Sequence, residues 1–152
     1  MIKRFQLGVL FLAATIASAP RASAALGQPV RSVEGDRIMM QGELKIIPGE
    51  GFTVHQIATK AGITVKEYAS ADGVVYGVSW RGPVMPDLSQ LLGSYFAEFQ
   101  RAAAAQAPYR RRHIMVHTQK LVVETSGHMR DLRGRAYLPA LLPAGANAAM
   151  VE

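Results

Sequence analysis

Two consecutive stretches of this chain nearly repeat each other at an interval of 11 residues. Thr53-Val54-His55-Gln56-Ile57-Ala58-Thr59-Lys60-Ala61-Gly62 aligns with Thr64-Val65-Lys66-Glu67-Tyr68-Ala69-Ser70-Ala71-Asp72-Gly73, and Val74-Val75-Tyr76-Gly77-Val78-Ser79-Trp80 comes directly after. Each run is short, rich in β-branched and aromatic residues, and bounded by a glycine that supplies turn geometry. Two copies of a strand plus a turn are too few to stack as a solenoid. The pattern therefore predicts an antiparallel meander.

The turns also set a register. With Lys60-Ala61-Gly62 as a three-residue loop, Ile57 lies opposite Val65 and His55 opposite Glu67. With Asp72-Gly73 as a two-residue type I′ turn, Ala69 faces Tyr76, Glu67 faces Val78 and Val65 faces Trp80. The two estimates collect Ile57, Ile63, Val65, Tyr76, Val78 and Trp80 on one face and leave Gln56, Thr64, Lys66, Tyr68 and Ser79 on the other. A slip of one residue in either turn would destroy that separation.

Before the meander, a helical patch is expected around Ser32–Gln41, weakened by Gly35, and a strand over 43–47 ended by Pro48-Gly49. After it, Pro83 and Pro86 break the sheet and Asp87, with Gln90 three residues on, has the form of a capping box. Leu88, Leu91, Leu92, Tyr95, Phe96 and Phe99 then make one apolar stripe at helical spacing. This predicts one amphipathic helix, running into the alanines at 102–105 and stopping before Pro108, that covers the apolar face of the meander. Further antiparallel strands are expected at His113–His117, Lys120–Thr125 and His128–Tyr137, with Gly127 and Gly134 as turn or bulge points. The expected class is α+β: a meander under one helix, followed by more antiparallel strands, in a single domain over 25–152.

Residues 1–24 read separately. Lys3 and Arg4 precede an apolar run from Phe5 to Ala17, and Ala22-Ser23-Ala24 supplies a small-x-small site. This is the layout of a secretory signal peptide cleaved after Ala24. Ala17-Ser18-Ala19 also fits, but cleavage there would leave Pro20 first. The run is shorter than the ~20 residues of a spanning helix, so no membrane span is expected in the mature chain. Removing Lys3, Arg4 and Arg21 reduces the 17 basic residues to 14, against 11 acidic. That ordinary balance takes away the case for nucleic acid. The chain has no cysteine, which excludes disulfides, thiolate metal sites and a cysteine nucleophile.

Several segments are distinctive beyond their periodicity: Phe52 to His55, Val65-Lys66-Glu67-Tyr68, Val78-Ser79-Trp80-Arg81-Gly82-Pro83, Pro86-Asp87-Leu88 with Gln90-Leu91-Leu92-Gly93, and Gly127-His128-Met129-Arg130 followed by Gly134-Arg135-Ala136-Tyr137-Leu138-Pro139. Together they resemble the proteobacterial family of exported proteins known as domain of unknown function 2844, across essentially the whole mature chain. Where that family usually has Val-Arg-Glu-Tyr, this chain has Lys66, which keeps the charge. The resemblance implies a Gram-negative envelope protein and brings no catalytic residue.

Three groups of residues are candidates for chemistry. His55 and Glu67 fall opposite each other on the otherwise apolar face, and an imidazole beside a carboxylate can serve as a general base; a mutually satisfied structural pair is the ordinary reading. Arg110, Arg111 and Arg112, with Arg130, Arg133 and Arg135 further on, form the main concentration of basic charge in the mature chain. Arg133 and Arg135 share a strand face, suited to an acidic partner or another anionic component of the envelope, or simply to solvent. His113 and His117 would stand about 13 Å apart on a strand, too far for one ion. The closer pairs, His113/Met115 and Met115/His117, form a soft set of the kind that can hold copper in an envelope, with His128 and Met129 as extra donors; plain strand alternation is the ordinary reading, so no metal or cofactor is assigned. No Gly-x-Ser-x-Gly elbow, P-loop, dinucleotide fingerprint or His-Glu-x-x-His is present. The expected function is a non-enzymatic binding or accessory module for an envelope partner. The alternative is a small-ligand binder or enzyme using His55 and Glu67.

Overall fold

The first turn of the repeat fixes the register of the hairpin it closes. Thr59 N–H donates to Ile63 O and Gly62 N–H to Thr59 O, enclosing Lys60-Ala61-Gly62 as a three-residue loop with Gly62 at φ +79°. A positive φ at the third loop position is where glycine is needed. Strands β2 (Phe52–Ala58) and β3 (Thr64–Ser70) therefore pair with Ile57 opposite Val65 and His55 opposite Glu67, as expected.

The computed structural model describes residues 26–106 and 113–152. The expected leader and Arg110, Arg111 and Arg112 lie outside them. Within them, β1 (Glu43–Pro48), β2, β3, β4 (Val75–Gly82), β5 (Met115–His117), β6 (Val122–His128) and β7 (Asp131–Tyr137) form one antiparallel sheet in the order β1-β2-β3-β4-β7-β6-β5. With its helices, the fold is α+β. The last strand in sequence is inserted beside the end of the meander, so the two strand groups join through β4 and β7.

The second turn departs from expectation. Ser70 and Val74 close a loop of three residues, Ala71-Asp72-Gly73, with Gly73 at φ +75°, rather than a two-residue type I′ turn. The extra residue is absorbed by a bulge: Tyr68 pairs with Gly77, but Ala69 pairs with Val75. Val65–Trp80 and Glu67–Val78 keep the expected pairing. Tyr76 changes sides. It packs with Tyr68 and Val151 in a small second cluster, while Val75 joins the main core. A bulge places two residues against one, which is how a single extra turn residue moves one side chain without shifting the rest.

The helical segments contribute to the main core. Helix α1 (Val33–Met40) follows the 3₁₀ turn Val30–Ser32. Asp87 caps α2 (Leu88–Leu92), its carboxylate accepting from the N–H groups of Ser89 and Gln90 at 2.8 and 3.4 Å. The continuous helix expected from the stripe is interrupted: Gly93–Tyr95 is a 3₁₀ turn, with Gly93 at φ +51°, before α3 (Phe96–Ala104). The stripe survives the break, because Leu91, Leu92 and Phe99 are buried and Leu88, Tyr95 and Phe96 pack against the same cluster as Ile57, Val65, Val78 and Trp80.

At the β4–β7 junction Trp80 is paired with Gly134. A Cβ on Gly134 would stand 2.3 Å from Trp80 Cζ2 and 2.8 Å from the Glu124 carbonyl oxygen. Glycine is required here by the indole that lies over it. Gly134→Ala is expected to lower the unfolding free energy by about 2–3 kcal/mol, at the upper end of overpacking costs. Urea denaturation of the variant checks this, and an unchanged midpoint would mean that the indole is not seated on the strand.

Candidate functional site

The two faces of the sheet offer two different arrangements of charge. On the core face, β3 carries Glu67 between Val65 and Ala69, and all three are buried. His55 lies opposite it in register, 9% exposed, with its Nε2 3.2 Å from Thr53 Oγ1. Burial lowers the His55 pKa and keeps the ring neutral near pH 7. The expected His55–Glu67 juxtaposition is thus present in the backbone, but the Glu67 carboxyl is engaged elsewhere.

Its partner is Asp36 of α1, which has no exposed surface. Burial first, then the charge of Asp36 and a side-chain hydrogen bond with it, push the Glu67 pKa up to about 9. Glu67 is therefore the protonated member at neutral pH and donates to Asp36. Asp36 also accepts from Gln90 Nε2 at 2.6 Å. Gln90, expected to close a capping box on Asp87, instead ties α2 to α1 and so to the sheet. Asp36 was legible in principle. It falls three residues after Val33 and four before Met40, the helical spacing of a buried face, but a carboxylate is an unusual occupant of such a face.

The opposite face is open. Adjacent strands there align Lys66, Ser79, Arg135, Glu124 and Met115 in one row, and Thr64, Arg81, Arg133 and Ser126 in the next. The two rows line a broad groove of about 1230 Å³. Asp131 holds two cations: Arg81 Nε donates to Oδ1 at 2.8 Å and Arg133 Nη2 to Oδ2 at 2.6 Å. Those two hydrogen bonds, Arg81's the larger effect, hold Asp131 below the usual carboxylate range. Burial resists ionisation of Glu124, but Arg135, at 2.8 Å from Nε, and then His117, at 3.0 Å, outweigh it and lower its pKa. Two guanidiniums on one carboxylate leave a positive surplus beside Lys66. Arg81 and Arg133 keep 67% and 50% of their side-chain surface exposed, so the surplus faces water.

Arg133 and Arg135 thus do share one face, as their spacing requires. Arg81 and Lys66 join them there, a grouping that no local spacing reveals because it needs the β4–β7 pairing. The groove is bounded at one side by the segment after β7. Arg135 Nη1 donates to Ala148 O at 2.8 Å, and Lys66 Nζ and the Tyr68 hydroxyl both donate to Glu152 O. Among the described residues no helix is long and apolar enough to cross a membrane.

Open polar sheet, buried carboxyl pair and helix order belong to a chain with a recognisable family. The family model described as Protein of unknown function (DUF2844) matches residues 22–151, and this chain belongs to that family. No curated protein and no solved structure matches the chain.

The buried pair has a consequence for stability. In the unfolded chain Glu67 ionises near 4.5, whereas in the fold it stays protonated to about 9. The native state then binds the extra proton, so stability falls as pH rises through this window, by on the order of 1 kcal/mol per pH unit. His55, with its lowered pKa, acts in the other sense below its ordinary value of 6.5 and is silent above it. Urea unfolding from pH 7 to 9 is expected to show a falling midpoint, and Glu67→Gln is expected to flatten it. An equal slope in both proteins would remove Glu67 as the cause.

Proposed function

We propose that this protein is exported to the cell envelope and acts there as a non-enzymatic binding module, docking an acidic partner across the open face of its sheet. The observation that carries this reading is the groove. It places Arg81, Arg133, Arg135 and Lys66 on adjacent strands, with the exposed guanidiniums of Arg81 and Arg133 outnumbering the one carboxylate they share. A rigid sheet presenting fixed cations suits recognition of carboxylate or phosphate groups by arginine forks. Arg110, Arg111 and Arg112 would add to this charge. The leader over 1–24, with its basic start, apolar centre and Ala22-Ser23-Ala24 site, supports export.

The alternative use of His55 and Glu67 as an acid–base pair asks Glu67 to meet a proton of a substrate. Its carboxyl has no exposed surface and is satisfied by Asp36. We assign the pair a structural role, fastening α1 to the sheet.

Tagged full-length protein expressed in its host is expected to retain a stoichiometric acidic partner from envelope extract at low salt and to release it at high salt. The Arg81→Glu/Arg133→Glu variant is expected to lose at least about tenfold in retention, as removal of charge-assisted contacts would give. A partner held equally by the variant, or one indifferent to salt, would defeat the reading. Mass spectrometry of the protein recovered from the envelope fraction is expected to find Ala25 at its N-terminus; an intact Met1 would count against export by cleavage.

A further inference from the structure

On the open face, the row of side chains next to Lys66, Ser79 and Arg135 has a gap at its centre. Tyr68, Gly77 and Tyr137 are neighbours there across β3, β4 and β7, so two aromatic residues flank a glycine. Val151 fills the gap. It has no exposed surface and packs with Tyr68 and Tyr76. A Cβ on Gly77 would lie 2.9 Å from Val151 Cγ2, so the glycine is what admits the valine. The result is a socket with a glycine floor and tyrosine walls, sized for a β-branched side chain.

Groups of the groove hold the backbone on either side of this knob. Arg135 Nη1 donates to Ala148 O at 2.8 Å and Lys66 Nζ to Glu152 O at 3.0 Å, while the Tyr68 hydroxyl accepts from Glu152 N–H at 3.0 Å. Val151 and Glu152 line the same groove as Lys66, Ser79 and Arg135. The chain leading up to this contact is held more loosely, for no residue in 139–150 is buried. A segment fastened by one side chain and a few hydrogen bonds at the solvent edge belongs to the low end of local stability.

We propose that residues 148–152 are a displaceable strap lying in the acidic partner's own binding site, and that the partner is an extended peptide segment that offers the Gly77 socket a valine-sized side chain beside acidic residues. This rests on the reading of the groove as a site for an acidic partner and adds what that partner must do to enter. Lys66 and the socket cannot serve the strap and an incoming chain at once, so the two exclude each other. The strap lowers the partner's apparent affinity by the fraction of molecules in which the socket is free. It also selects against acidic chains that have no side chain to put in place of Val151, since burying a valine there contributes about 1.5–3 kcal/mol.

Two synthetic peptides are the probes, offered to the full chain at low salt: hexaglutamate with one internal residue replaced by valine, and the same peptide with glycine in that place. Val151→Ser takes both γ-methyls out of the socket, and Val151 lies outside the main core, so the fold is expected to stand. The valine peptide is expected to bind this variant about tenfold more tightly than the wild type, as removal of a competitor from a mostly closed site gives. The glycine peptide is expected to bind the variant about fivefold or more weaker than the valine peptide does. On the wild type, the valine peptide is expected to speed amide hydrogen exchange at Val151 and Glu152 while β3 and β4 stay protected. The proposal is overturned if the valine peptide binds both proteins equally, if exchange at 151 and 152 does not change, or if glycine serves as well as valine. Equal binding that Arg81→Glu/Arg133→Glu abolishes would leave the groove standing without the strap. Binding to neither protein overturns the strap and its socket, while the groove is judged by its envelope partner.

Discussion

The indole of Trp80 lying across Gly134 is the contact through which this molecule becomes one sheet. β4 ends the meander and β7 ends the second strand group, and their pairing is the only backbone ladder between the two among the described residues. A side chain at 134 would separate them at the point where the core is filled by Trp80. The residue that accepts the ring is therefore the one with no side chain, and the junction is tight because packing rather than loop geometry closes it.

The charged groove descends from that junction. On the solvent side it sets Ser79 and Arg81 beside Arg135 and Arg133, and it lets Asp131, at the start of β7, serve arginines from two strands. On the core side the same sheet presents Glu67 to α1. A protonated carboxyl that donates to a neighbouring carboxylate is a hydrogen bond with strict directional needs inside a low-dielectric core, so it fixes the seat of a short helix whose own sequence, with Gly35 in its middle, specifies it weakly. Gln90 extends that lock to α2.

Much of this was legible in the chain. The 11-residue repeat contained the first hairpin, including the pairing of His55 with Glu67, because a three-residue glycine loop admits one register. The stripe from Leu88 to Phe99 announced its buried face despite the break at Gly93. The features that were not legible came from two sources. Asp72-Gly73 is compatible with more than one hairpin loop, and the loop with one more residue moved Tyr76 to the far side. Contacts between distant segments, such as Asp36 with Glu67 and Arg81 with Asp131, leave no local period. The first exists once α1 has packed on β3, the second only once β7 has taken its place beside β4.

That place has a kinetic meaning. Every other ladder of the sheet joins neighbours in sequence, whereas β4 and β7 bring together residues fifty to sixty positions apart, from Gly82 with Leu132 to Gly77 with Tyr137. The entropy of closing so long a loop is spent before the ladder returns anything. The two strand groups meet edge to edge along this one ladder, and without it the facing edges of β4 and β7 would be open strands. The ladder at the centre of the finished sheet is thus the one with the highest closure cost, and the edges it covers are the ones through which an unpaired copy of this chain would meet another.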